Sequence, residues 1–269
     1  MKQQTVSILS NNICLSGALH LPANSDGQKI PLIVLLHGFL GSKVGEHRMF
    51  VKAARYFTEK GLGVFRFDFS GCGESDGDYA NVMVTKQLNE VQIVLNYLSS
   101  IKEVDAENII LIGHSLGGAV ASITAARDRR IRKLILWSPV GKPYEDITNI
   151  MGNEAVETAK LNGRVDYNGF YISHAFLEDL KNHHPLEAIC SYKEEAFIIH
   201  AKEDEDVPRE HTYSYFKALR ERGCNKEVEK HFVEQADHTF SSYAFEEELF
   251  NKSFEWLEKF SGTREKIAL

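Results

Sequence analysis

Asn108-Ile109-Ile110-Leu111-Ile112-Gly113-His114-Ser115-Leu116-Gly117-Gly118 is the stretch from which the fold can be inferred. The run from Ile109 to Ile112 is wholly apolar and mostly β-branched, as in a strand covered on both faces, and a helix is predicted behind it over 117–127. Gly113-His114-Ser115-Leu116-Gly117 lies between them, a pattern that sets a serine on a sharp strand-to-helix turn. Glycines on both sides let neighbouring chain approach, the hydroxyl points out of the sheet, and the first N–H groups of the helix are free to meet developing negative charge. Without its flanking strand and helix the same run would be an ordinary glycine-rich turn. A phosphate cradle is not indicated: no Lys-Ser or Lys-Thr pair follows the glycines, and GxGxxG is not matched.

Strands and helices alternate on both sides of this turn. Two leading strands, 6–10 and 13–20, are joined at Asn11-Asn12. The apolar run from Ile30 to Leu36 predicts a buried strand, with a helix over 46–60, a strand over 63–69 and a helix over 84–101 to follow. A strand is predicted over 131–139. After the interruption described below come a strand over 194–201, a helix opened by Pro208 and reaching Arg222, a strand over 226–234 and a closing amphipathic helix through Phe245 and Phe260. Repeated crossovers of this kind give an α/β class: a mostly parallel sheet with helices on both faces. Between Val140 and Ile189 the rhythm breaks into polar, glycine-punctuated sequence too long for a bare loop, so an inserted, partly helical cap over 140–189 is expected within a single domain spanning 1–269.

The 269 residues are 43% hydrophobic and 26% charged, a balance found in globular proteins, and the net charge of −7 supplies no field favouring nucleic acid or an anionic membrane. The N-terminal segment has no unbroken apolar stretch or small-residue cleavage site, and no window approaches membrane-span length. Cys14, Cys72, Cys190 and Cys224 are scattered without metal-ligand spacing. A cytoplasmic location with free thiols is the resulting expectation. No metal or organic cofactor is implied, since the acidic run at 203–206 lacks the glycine and spacing of a calcium loop.

A serine hydroxyl needs a base to remove its proton during attack. His238, in Gln235-Ala236-Asp237-His238-Thr239-Phe240, falls in the connection between the last strand and last helix, where a side chain can reach the carboxyl edge of the sheet. His114 and His37 are expected to be structural. For the carboxylate that orients the imidazole, Glu203-Asp204-Glu205-Asp206 follows a strand end. Asp204 is the first candidate; Asp206 is the alternative, and is better placed to cap the helix beginning at Pro208. The oxyanion donors are expected to be the N–H groups of Phe39, in the glycine turn His37-Gly38-Phe39-Leu40-Gly41, and of Leu116.

Together, His37-Gly38-Phe39, the run from Arg66 to Gly77, Gly113 to Gly118, Glu203 to Pro208 and Ala236 to Phe240 resemble the α/β-hydrolase superfamily in order and separation. Within it the chain is most similar to serine aminopeptidase-like hydrolases and, among those, to bacterial cinnamoyl and feruloyl esterases. The resemblance implies Ser115 as nucleophile, Asp204 as acid, His238 as base, and Phe39 and Leu116 as oxyanion donors. It also implies a structural role for Asp68, Gly71, Gly73 and Ser75. His200-Ala201 departs from the usual His-Gly, and 140–189 carries no family motif.

The expected activity is hydrolysis of a small-molecule carboxylic ester, short-chain or aryl, with the cinnamoyl or feruloyl type among the candidates that the resemblance implies, through an acyl-enzyme. Tyr144, Tyr167, Phe170, Tyr171 and Phe176 are candidates either for an acyl pocket or for the cap's own core. An aminopeptidase or amidase would share the triad but need a carboxylate for the substrate ammonium, for which Glu154, Glu157, Glu178 and Asp179 are available. A non-catalytic binding protein is the third reading, because a fold does not fix a function.

Overall fold

The computed structural model describes residues 1–23 and 27–260; the rest of the expected 1–269 domain lies outside the described residues. Strands β1 (Lys2–Ser10) and β2 (Ile13–Leu21) form an antiparallel hairpin whose turn residues Asn11 and Asn12 both have positive φ, as a tight two-residue hairpin demands. There follow β3 (Ile30–Leu36), α1 (Met49–Glu59), β4 (Gly63–Phe67), α2 (Val84–Ser99), β5 (Val104–His114), α3 (Leu116–Arg127) and β6 (Ile131–Trp137). The segment behind β6 holds helices α4 (Pro143–Met151) and α5 (Asn153–Asn162) and the strands β7 (Arg164–Tyr167) and β8 (Phe170–Ser173), which pair in a separate hairpin. Helices α6 (His174–Leu180) and α7 (Pro185–Ala188) complete that segment, and the main sheet resumes with β9 (Glu195–Ala201), α8 (Glu210–Arg220), β10 (Val228–Val233) and α9 (Tyr243–Lys259).

The eight-stranded sheet has the order β1-β2-β4-β3-β5-β6-β9-β10, antiparallel at β1-β2 and β2-β4 and parallel from β4 to β10. Period-two alternation feeds two cores. Leu32, Val34 and Leu36 of β3 face the core shared with α2, α3, α8 and the 143–188 segment, while Ile33 and Leu35 face the one built with α1 and α9. Among the described residues no helix is long and apolar enough to cross a membrane.

One boundary differs from expectation in a way that matters. The helix predicted from Glu46 begins only at Met49; Glu46–Arg48 is a separate 3-10 turn in which His47 (φ 38°) and Arg48 (φ 66°) are left-handed. His47 Nδ1 meets the buried carboxyl of Glu246 on α9 at 2.9 Å, and Lys52 pairs with the same group. That long-range anchor, invisible in local sequence, holds the turn out of the helix.

Candidate active site

The carboxyl ends of β3, β5 and β9 and the loop behind β10 converge on a cavity of about 210 Å³ whose walls include Phe39, Phe50, Ser115, Ile150 and His238. Ser115 joins β5 to α3 with φ 57° and ψ −125°. A Cβ on Gly113 would come within 2.2 Å of the Gly117 carbonyl, and one on Gly117 within 2.3 Å of the Leu36 carbonyl, so the turn tolerates neither. Its backbone is held from both sides: Ser115 N–H donates to Trp137 O at 3.0 Å, and Ser115 O accepts from Gly118 and Val140 at 2.9 and 3.1 Å. Ser115 is only 5% exposed.

His238 Nδ1 lies 2.7 Å from Asp204 Oδ2, and the Asp204 carboxylate is fully buried. Asp204 Oδ1 accepts from the N–H groups of Asp206 and Val207 at 3.0 and 2.8 Å. Burial opposes ionisation of this carboxyl, but hydrogen bonds from His200 and His238 outweigh it and hold the group well below the usual carboxylate range. With Nδ1 given to the carboxylate, Nε2 is the nitrogen left for chemistry in the cavity. Among the described residues no hydrogen bond yet joins Ser115 Oγ to His238; bonds of this kind commonly tighten only when substrate is seated.

Asp204, and not Asp206, is thus the acid brought to His238. The helix-capping role expected of Asp206 is not observed: α8 starts at Glu210, its N-cap is Arg209, and no side chain caps it. The tight turn closed by Asp204 carries the chain past Pro208 before the helix can form, and leaves Asp206 lining the cavity.

Two histidines support this arrangement beyond what their sequence positions indicate. His200, fully buried at the end of β9, receives Thr212 Oγ1–H at Nδ1 (2.8 Å) and directs Nε2–H between Val207 O and Asp204 Oδ2, both at 3.2 Å. It therefore steadies the acid from the side opposite His238. His114 donates Nε2–H to the His238 carbonyl at 2.9 Å, and burial pushes its imidazole down to about 3, so it stays neutral. Asp68 takes Lys43 N–H, Lys43 Nζ and Glu74 N–H at 2.5, 2.5 and 2.9 Å, a structural bracket beneath the loop that follows β3.

That loop carries Phe39. His37, kept neutral by burial, donates from Nδ1 to Gly38 O at 3.0 Å and accepts Phe69 N–H at Nε2. Leu40 N–H goes to the Tyr79 hydroxyl at 2.9 Å and Gly41 N–H to Gly38 O at 3.1 Å. The N–H groups of Phe39 and Leu116 find no acceptor among the described residues. The Phe39 ring stacks on Phe176 at 5.9 Å and touches Tyr79 and Tyr167, each at 6.2 Å. Phe176 and Tyr167 of the 143–188 segment thus pack on the loop, and Ile150 is that segment's contribution to the cavity wall. Tyr171 instead sits 46% exposed beneath Arg164. None of the four carboxylates considered for a substrate ammonium lines the cavity. Glu157 pairs with Lys160, Glu178 with Lys181, Asp179 with Thr85 and His183, and Glu154 is exposed.

A serine on a strained elbow, an imidazole backed by a buried carboxylate and two unpaired N–H groups, that of Phe39 in the cavity wall and that of Leu116 next to the serine, are the parts from which acyl-transfer sites are built. Residues 31–162 match the α/β hydrolase fold family. Among solved structures, Est1E from Butyrivibrio proteoclasticus with bound ferulic acid superposes with a TM-score of 0.80 at 24% identity, covering 94% of this chain and 98% of that one. The mitochondrial palmitoyl-protein thioesterase ABHD10 of Mus musculus is 25% identical over 230 residues, 80% of this chain and 71% of its own. An uncharacterized 31.7 kDa protein in the traX-finO intergenic region of Escherichia coli is 36% identical over 107 residues, spanning 40% of this chain and only 36% of that one. The quorum-quenching protein AidA of Acinetobacter baumannii is likewise matched over only 48% of its length. The chain has the fold of the α/β hydrolases.

Proposed function

We propose that the protein is a serine hydrolase that cleaves carboxylic esters through an acyl-enzyme, with Ser115 as nucleophile, His238 as general base and Asp204 as the orienting acid. The observation that carries this reading is the buried Asp204–His238 pair, 2.7 Å apart, opening on the same cavity as Ser115. Ser115 Oγ attacks the ester carbonyl carbon while its proton passes to His238 Nε2, and the carbonyl oxygen becomes an oxyanion held by the N–H groups of Phe39 and Leu116. Collapse breaks the C–O bond, and the leaving alkoxide takes the proton from His238. Water then repeats the sequence: its proton goes to His238, its oxygen to the acyl carbon, and the acid departs as Ser115 regains its hydrogen.

The likeness to a structure holding ferulic acid supports an acyl or aryl substrate, as does that to a thioesterase. The cavity, smaller than the roughly 300 Å³ at which drug-sized sites begin, and its apolar walls Phe39, Met49, Phe50 and Ile150 favour short-chain or aryl groups. The 140–189 segment serves as a cap that governs access, reaching the site through Ile150 and through Phe176 against Phe39. Initial rates on a series of aryl acetates and on matched aminoacyl anilides test the reaction class. The esters are expected to be turned over at least a hundredfold faster; a clear preference for the anilides would overturn the ester reading.

The oxyanion loop gives a second expected result. Tyr79→Phe keeps the ring against Phe39 but removes the hydroxyl that accepts Leu40 N–H. A buried bond of this kind contributes about 1 kcal/mol, and its loss loosens a donor used mainly in the transition state. Steady-state kinetics should give a kcat lowered roughly tenfold with KM nearly unchanged; a raised KM at constant kcat would assign Tyr79 to substrate binding instead.

A further inference from the structure

The Ser115 cavity is lined by two carboxylates, Glu46 and Asp206, and by no lysine or arginine. Neither carboxylate has a hydrogen-bond or ion-pair partner among the described residues. Both are anchored. Glu46 sits on the left-handed turn pinned to Glu246 through His47, and Asp206 donates its backbone N–H to Asp204. Lys52 pairs with Glu246, Arg209 with Lys202 O and Glu210, and Arg48, in the same turn as Glu46, does not line the cavity. On the same cavity wall is Ser115, a residue 95% buried whose hydroxyl has no hydrogen-bond partner among the described residues. His37 and His114 add no positive charge to the cavity's inner wall, because burial holds both neutral.

We propose that the preferred substrates are carboxylic esters bearing a positive charge, an ammonium group held by Glu46 and Asp206 while Ser115 attacks the ester carbonyl. The inference rests on the ester-hydrolase reading above and specifies its substrate class. Two negative charges beside a cleft with apolar walls concentrate cations and repel anions. Esters carrying a carboxylate, sulfonate or phosphate on the same side are therefore poor substrates. The charge can reside on the alcohol or the acyl part, and the two are separable by experiment.

Hydrolysis of acetylcholine is compared with that of 3,3-dimethylbutyl acetate, its uncharged carbon isostere, and betaine ethyl ester with ethyl 3,3-dimethylbutanoate. For each pair the preference is the ratio of kcat/KM for the cation to that for the neutral ester. Wild type and Glu46→Gln/Asp206→Asn are measured side by side, so the esters' intrinsic reactivities cancel. In at least one pair the wild-type preference is expected to exceed that of the double variant by roughly tenfold, the lower end of the range for clefts lined by one sign of charge. The pair that responds locates the ammonium. Raising salt on the wild type alone should shrink the same preference, a readout that does not require the variant to fold. Preferences equal in both proteins, or unmoved by salt, would overturn the inference and leave the ester reading standing, since the neutral esters would still be cleaved. No turnover of any of the four by wild type would overturn both.

Discussion

Replacing His238 by Ala is expected to lower kcat on a soluble aryl ester by about a millionfold, the scale found when one member of such a reacting pair is removed from a serine protease. Adding Ser115→Ala should then cost almost nothing more, because nucleophile and base act as one unit. The size of the loss depends on whether another base can reach the hydroxyl. Two other imidazoles line the cavity: His37 is occupied at both nitrogens, Nε2 taking Phe69 N–H while Nδ1 donates to Gly38 O, and His114 donates Nε2–H to the His238 carbonyl. Burial pushes both down, so neither readily accepts the serine proton. Steady-state kcat of the single and double variants decides the matter. Losses that multiply in the double variant, or a folded His238→Ala protein retaining a few per cent of turnover, would mean that the two residues do not share one proton transfer.

Asp204→Asn should fold normally and lose about ten-thousandfold in kcat, by analogy with the corresponding change in a serine protease. The hydrogen bonds give the reason. Asp204 Oδ1 accepts two N–H groups, from Asp206 and Val207, so the amide oxygen of asparagine must take that place. Its NH2 group then points at His238 Nδ1 and at the His200 Nε2–H, where the carboxylate oxygen had accepted from both. His238 can meet an N–H donor only by giving up its Nδ1 proton, which puts the proton on Nε2 and leaves the serine facing a donor instead of a base. Steady-state kinetics with circular dichroism to confirm the fold tests this. Near-normal turnover in a folded Asp204→Asn protein would remove Asp204 from the acid role.

The sheet and its helices were legible in the sequence because each strand is a local apolar run and each helix a local periodic one; Ile109–Ile112 followed by Gly113-His114-Ser115-Leu116-Gly117 carries strand, turn and helix start within one short segment. The candidate residues Asp204 and His238 were legible for a similar reason, as each follows directly on a strand end. What could not be read was set by partners distant in the chain. Glu46 leaves the helix because His47 meets Glu246, nearly two hundred positions away. His200 gave a signal only as a departure at its neighbour Ala201, and its contacts to Asp204 and Thr212 depend on how β9 meets α8. Asp206 was misassigned as a cap because Pro208 marked a helix start that the Asp204 turn delays to Glu210. The cap aromatics showed no usable pattern, since what decides their role is the stacking of Phe176 on Phe39 across the fold.

That Ser115 is the residue acylated during turnover is tested most directly by treating the folded protein with a fluorophosphonate probe and mapping the adduct by peptide mass spectrometry. One equivalent of label on Ser115 is expected, absent in Ser115→Ala and slowed by the same large factor as ester turnover in His238→Ala. A folded protein that takes up no label, or carries it on another residue, would contradict the assignment.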